Sequence, residues 1–111
     1  MSIIKINSEN FNGFTNIDTS LITDMSFLFQ DMDLSGIDIG TLDTSNVKNM
    51  EYMFNLAHFF NQNLNKWNVS KVKNMSNMFN RAALFNSIIK DWDTTNVENM
   101  GYMFYMTKLF H

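Results

Sequence analysis

Laid out in rows of 25, the chain falls into register with itself without a single gap. Met25, Met50, Met75 and Met100 stand in one column, and Phe29, Phe54, Phe79 and Phe104 in a second. Ile17, Leu42, Trp67 and Trp92 make a third column, and Ile22, Val47, Val72 and Val97 a fourth. A fixed period of about 20–50 residues is the signature of an array in which each repeat packs on its neighbours, because no single repeat can bury its apolar face alone. The period divides the chain into an N-terminal cap over 1–16 and four repeats over 17–41, 42–66, 67–91 and 92–111. Terminal repeats of such arrays are atypical, and here the first is the most divergent, with Ser35-Gly36 where the next two have Phe-Asn.

Within a repeat the apolar pattern changes halfway. Around Leu64, Trp67 and Val69 the spacing is three and then two, and alternation puts Trp67 and Val69 on one face with Asn68 on the other. Thr19, Thr44, Val69 and Thr94 form a β-branched inward column, which suits a strand. The second half reads differently: Val47, Met50, Phe54 and Ala57 recur at three, four and three, the spacing of one helix face. Asp24, Asn49, Asn74 and Asn99 precede that run, where an N-cap belongs. These patterns predict an α/β repeat solenoid of about four strand–helix repeats, with a parallel sheet on one face.

Composition bounds the function classes. A chain of 111 residues with 45% hydrophobic content and a mean hydropathy of −0.18 is long enough for a modest core and too polar for a membrane span. Its net charge is −3, and its eight Lys and Arg are scattered singly, so no basic face is available to neutralise phosphates; a nucleic-acid partner is not expected. With no Cys, the chain has no disulfide, thiolate metal site, Cys nucleophile or lipidated N-terminal Cys. The start, MSIIKINSEN, lacks both the basic region and the apolar run of about 7–15 residues of a secretory signal. Two readings stay open: a protein retained in the cell, or a module excised from a longer chain.

The phrases WNVSKVKNMSNMFNRAALFN (67–86) and WDTTNVENMGYMFYM (92–106) resemble the bacterial surface-protein repeats of the DUF285 family, the BspA-like leucine-rich repeats of mycoplasma lipoproteins. That pattern is Trp-Asp/Asn-Val/Thr-Ser-x-Val-x-Asn-Met-x-x-Met-Phe-x-x-Ala-x-x-Phe-Asn. Residues 67–86 carry every named position, and 42–61 carry all but the Trp, which is Leu42. The resemblance implies a leucine-rich-repeat-like right-handed coil. It also implies surface display, adhesion or partner recognition at the cell surface or in secreted form.

Candidate functional residues fall in columns, and each column has a structural alternative. Asp18, Asp43, Asn68 and Asp93 point outward, either to meet a cation or basic ligand, or to bond their own backbone as a turn ladder. The Met and Phe columns read as core, as do Trp67 and Trp92 rather than a sugar platform. Tyr52, Tyr102 and Tyr105 are the more accessible aromatics. His58 and His111 stand without a carboxylate or second His at ligand spacing, and no nucleophile–base set or Gly-rich phosphate loop is present. The expectation is a module without catalytic activity, cofactor or metal, binding a protein partner through Asp43, Lys66, Asn68, Asp91 and Asp93. A second expectation is self-association through an uncapped C-terminal end carrying Met103, Phe104, Leu109 and Phe110.

Overall fold

Every second N–H between Met25 and Asp31 leaves its own repeat. Those of Met25, Phe27, Phe29 and Asp31 donate to the carbonyls of Asn49, Glu51, Met53 and Asn55 at 2.9, 3.1, 2.9 and 2.8 Å. The alternate N–H groups, of Leu28, Gln30 and Met32, turn back three residues, to Met25, Phe27 and Phe29. The scheme recurs from the second repeat to the third, where Met50, Tyr52, Phe54 and Leu56 donate to Asn74, Ser76, Met78 and Asn80. It recurs again from the third to the fourth, from Met75, Asn77, Phe79 and Arg81 to Asn99, Gly101, Met103 and Tyr105. This computed structural model describes residues 18–34, 38–83, 85 and 89–107. The predicted cap, 1–16, lies outside them.

This bonding overturns the predicted helices. An α-helix sends each N–H four residues back within one segment. Here the second half of each repeat is a run of tight turns instead. Phe27, Tyr52, Asn77 and Tyr102 form one column of positive φ, and Asp31, Leu56, Arg81 and Met106 a second, with φ between 57° and 64°. A positive φ at the third residue of a hydrogen-bonded turn is the mark of type II, and a left-handed residue ends a right-handed helix. Each such non-Gly residue costs about 1–2 kcal/mol, and in the first three repeats the bond from its own N–H to the next repeat offsets that cost. The predicted N-caps become turn caps: the side-chain oxygens of Asn49 and Asn74 accept from the N–H of Glu51 and Ser76, two residues on, at 3.0 and 2.9 Å.

The predicted parallel sheet is absent as well. Among the described residues strand-type pairing between repeats is limited to isolated parallel bridges, Asp24 to Asn49, Asn49 to Asn74 and Asn74 to Asn99. Where strands were expected, the chain turns again: Leu42, Trp67 and Trp92 donate three residues back to Ile39, Leu64 and Ile89. The β-branched column joins repeats by side chains, with the hydroxyls of Thr19 and Thr44 donating to the carbonyls of Asp43 and Asn68 at 2.7 and 2.9 Å. Among the described residues there is no helix and no extended strand, so the chain is not an α/β solenoid with a sheet on one face. It is a compact body of layered turns. Its radius of gyration, 12.8 Å, matches the ~13 Å of a globular domain of about 100 residues.

The core follows the sequence columns closely. Met25, Met50 and Met75 are fully buried, as are Phe29, Phe54 and Phe79. The Phe rings stack from layer to layer at 5.5, 5.4 and 5.7 Å, ending at Phe104. Phe60 and Phe85 pack beside this stack, 4.1 Å from Phe54 and 3.9 Å from Phe79. Trp67 and Trp92 are buried and nearly coplanar in tilt, and their indole N–H groups donate to the carbonyls of Ile39 and Leu64 at 2.9 and 2.8 Å. The expectation that both Trp are core holds.

Candidate partner-binding surface

The layering brings Asp43, Asn68 and Asp93 into one exposed column, one repeat apart, with Asp18 at its head. Each holds its side chain in the same way. The Asp43 Oδ1 accepts from the Ser45 N–H at 2.9 Å and the Ser45 hydroxyl at 2.5 Å. The Asn68 Oδ1 accepts from the N–H and hydroxyl of Ser70 at 3.0 and 2.7 Å, and the Asp93 Oδ1 from those of Thr95 at 3.0 and 2.5 Å. These are turns closed by a side chain two residues back. The turn-ladder reading of the column is therefore what the geometry shows. The hydroxyl and then the backbone donor hold the Asp18, Asp43 and Asp93 carboxyls below their ordinary value, and Asp18 pushes weakly the other way on Asp43.

Lys66 and Asp91 occupy the neighbouring exposed column. Asp91 is tied to the preceding layer: its N–H donates to the Asn65 Oδ1 at 2.8 Å, and its Oδ2 accepts from the Asn65 Nδ2 at 2.7 Å. Lys66 makes no hydrogen bond or ion pair among the described residues. Sequence reasoning missed the bonds that brace this face. Asn46 and Asn96 donate to the carbonyls of Ser20 and Ser70 in the layer before, at 2.6 and 2.8 Å, and the Lys71 ammonium donates to the Asn46 Oδ1 at 2.8 Å. The period alone points to them, since Asn46 and Asn96 stand two repeats apart in one column. Among the described residues no group of three or more His, Cys, Asp or Glu is arranged to hold a metal ion.

The predicted association end resolves differently. Met103 is buried and Phe104 half-buried, stacked on Phe79 and Phe85, while Leu109 and Phe110 lie outside the described residues. The exposed apolar groups there are Met100 at 45%, Tyr102 at 70%, Tyr105 at 47% and Met106 at 63%. Tyr52, by contrast, is half-buried and stacked on Phe27 at 4.8 Å.

Columns in register, an invariant Asn-Met-x-x-Met-Phe core within residues 49–104, and layer-to-layer bonding at one period describe a repeat family rather than a single fold accident. The family model described as "Mycoplasma protein of unknown function, DUF285" matches residues 1–111, the whole chain. The chain belongs to the DUF285 family. Comparison with curated proteins and with solved structures gave no match. Among the described residues of this DUF285 protein, no helix is long and apolar enough to cross a membrane.

Proposed function

We propose that this DUF285 chain is a non-enzymatic protein–protein recognition module of a bacterial surface or adhesion-type repeat protein. The observation that carries the reading is the exposed column of Asp43, Asn68 and Asp93, each side chain pinned through one oxygen by its own turn. Pinning removes side-chain entropy before a partner arrives, and the repeat sets the spacing of the column. Basic or amide groups of a partner protein are the complement to such a row, with Lys66 and Asp91 alongside. A photo-crosslinking side chain placed at Lys66 tests this in the full chain, with the exposed Lys48 position as control. An adduct with one partner at position 66, lost in the double variant Asp43→Asn and Asp93→Asn, supports the module. Asn keeps the turn acceptor, as Asn68 already does, so the variant removes charge and not fold. Equal adducts at both positions, or none at 66, remove the reading.

A second reading, self-association through the fourth repeat, is favoured by the exposure of Met100, Tyr102 and Met106. Light scattering after size exclusion checks it, with Tyr102→Asp as control, because Asp tolerates the left-handed conformation of that position. A monomer at every concentration ends it.

A further inference from the structure

We infer that Asn68 is a glycosylation site, its Nδ2 taking a sugar activated at C1 by a bond to phosphate. An Asn two residues before Ser or Thr, with any residue but Pro between, is the acceptor pattern for N-linked sugars. The chain holds it twice, at Asn68-Val69-Ser70 and at Asn74-Met75-Ser76. The first interrupts a column of carboxylates. Asp18, Asp43 and Asp93 stand two residues before Ser20, Ser45 and Thr95, and only the third repeat puts an amide there. The turn is closed in the same way in every layer, so Asn in place of Asp changes the chemistry and not the shape.

The two copies of the pattern are presented differently. Asn68 is exposed between the buried Trp67 and Val69, and its backbone carbonyl accepts from the Thr44 hydroxyl at 2.9 Å, so the amide stands out from a fixed backbone. Its Nδ2 has no acceptor among the described residues, which include 43–46 and 93–96 in the layers on both sides. Asn74 is half-buried, its Nδ2 donates to the Glu51 carboxylate at 3.1 Å, and its Ser76 is buried. The acceptor chemistry separates them further. An amide nitrogen attacks only as it loses a proton, and the charge so formed gathers on Oδ1. At Asn68 both the N–H and the hydroxyl of Ser70 donate to that oxygen, at 3.0 and 2.7 Å, which stabilises a developing oxyanion. At Asn74 the Ser76 N–H alone does so among the described residues, at 2.9 Å. In the transfer, a base of the transferase takes one Nδ2 proton and the Nδ2–C1 bond forms. The C1–O bond breaks, and its electron pair leaves with the phosphate.

Trypsin separates the two sites. Cutting after Lys66 and Lys71 releases Asn68 within 67–71, and cutting after Lys73 and Arg81 releases Asn74 within 74–81. The test is mass spectrometry of these peptides from the full chain isolated from its source cells. A sugar increment is expected on 67–71 and none on 74–81. A single sugar residue marks a nucleotide-sugar donor, and a preassembled oligosaccharide marks a lipid-linked one. The increment is expected to be lost in Asn68→Asp, which installs the residue of the other three repeats, and in Ser70→Ala, and to be kept in Ser70→Thr. A 67–71 peptide found only unmodified overturns the inference, and so does an increment on 74–81. An increment that survives Asn68→Asp sits on Ser70 and overturns it as well. The inference goes beyond the partner reading and does not rest on it, since the peptide mass reports on Asn68 whether or not an adduct forms at position 66.

Discussion

The third and fourth repeats carry nearly the same sequence columns and live in different surroundings. Met75 is sealed between two layers and Met100 is 45% exposed; Phe79 is stacked on both sides and Phe104 is half-buried. Val72 is fully buried, and Val97 is not. The same residue in the same column is core or surface according to whether a layer covers it. In a layered array, burial belongs to the junction between repeats rather than to the repeat.

That contrast can be broken most forcefully at the aromatic stack. Phe79→Ala empties a site enclosed by Phe54, Phe85 and Phe104, and should cost about 3–5 kcal/mol by urea unfolding. Phe104→Ala should cost distinctly less, because half of that side chain's burial is missing; equal losses would mean that the fourth layer is covered in solution. Next in size is Trp67→Phe. It removes the indole bond to the buried Ile39 carbonyl, which keeps the Leu42 N–H, for a loss of about 0.5–1.5 kcal/mol in the same measurement.

A smaller change should sharpen the contrast by stabilising the fourth layer. An amide ladder runs from Gln30 through Asn55 to Asn80, with Nδ2 donors at 2.8 and 2.9 Å, and stops at the buried Asn80 Oδ1, which has no partner among the described residues. The next residue in the column is Tyr105. Tyr105→Asn extends the ladder and should raise stability by about 1 kcal/mol, read as a shift in unfolding midpoint. Arg81→Gly relieves a left-handed residue on the exposed face and should stabilise by about 0.5–1 kcal/mol, part of the strain being offset by the freer unfolded chain. A loss of stability there would show that the Arg81 side chain matters more than its backbone.

The smallest effect is on acid stability. Asp18, Asp43 and Asp93 are held below their ordinary value of 3.8 in the folded chain by their turn hydroxyls and N–H groups. Their contribution is present above the unfolded value and fades as pH falls through the lower folded values, so it is lost below pH 3.8. Asp43→Asn with Asp93→Asn should flatten the acid limb of the stability profile slightly, these groups being almost fully exposed. A profile unchanged between pH 2 and 4 (about the carboxylate range) would mean that the turn bonds are as strong in the unfolded chain.

The Trp67, Phe79 and Met75 columns were legible as core because apolar side chains recur at one period, and the Asp43 column was legible as outward by alternation. The helix was not. Met25, Leu28, Phe29 and Met32 point inward from a succession of type II turns at the spacing by which a helix would bury them. Spacing reports where side chains go and is blind to where N–H groups go. Nothing in Phe27, Leu56 or Arg81 announces a positive φ either, since none is Gly or Asn. The exposed end shifted from Met103 to Met100, Tyr102 and Met106 for the same reason, a helix and a run of turns presenting different residues on the open face.

By itself the sequence determined the period, the register of the columns and the membership of the core, because these follow from which side chains water excludes. The tertiary structure alone decided the backbone. A helical segment would close its hydrogen bonds four residues back, and the first three repeats here close alternate ones 24 residues ahead, on the next layer. Both schemes bury the same side chains. The choice between them rests on partners that exist only once a second repeat is in place, an energy no single repeat contains.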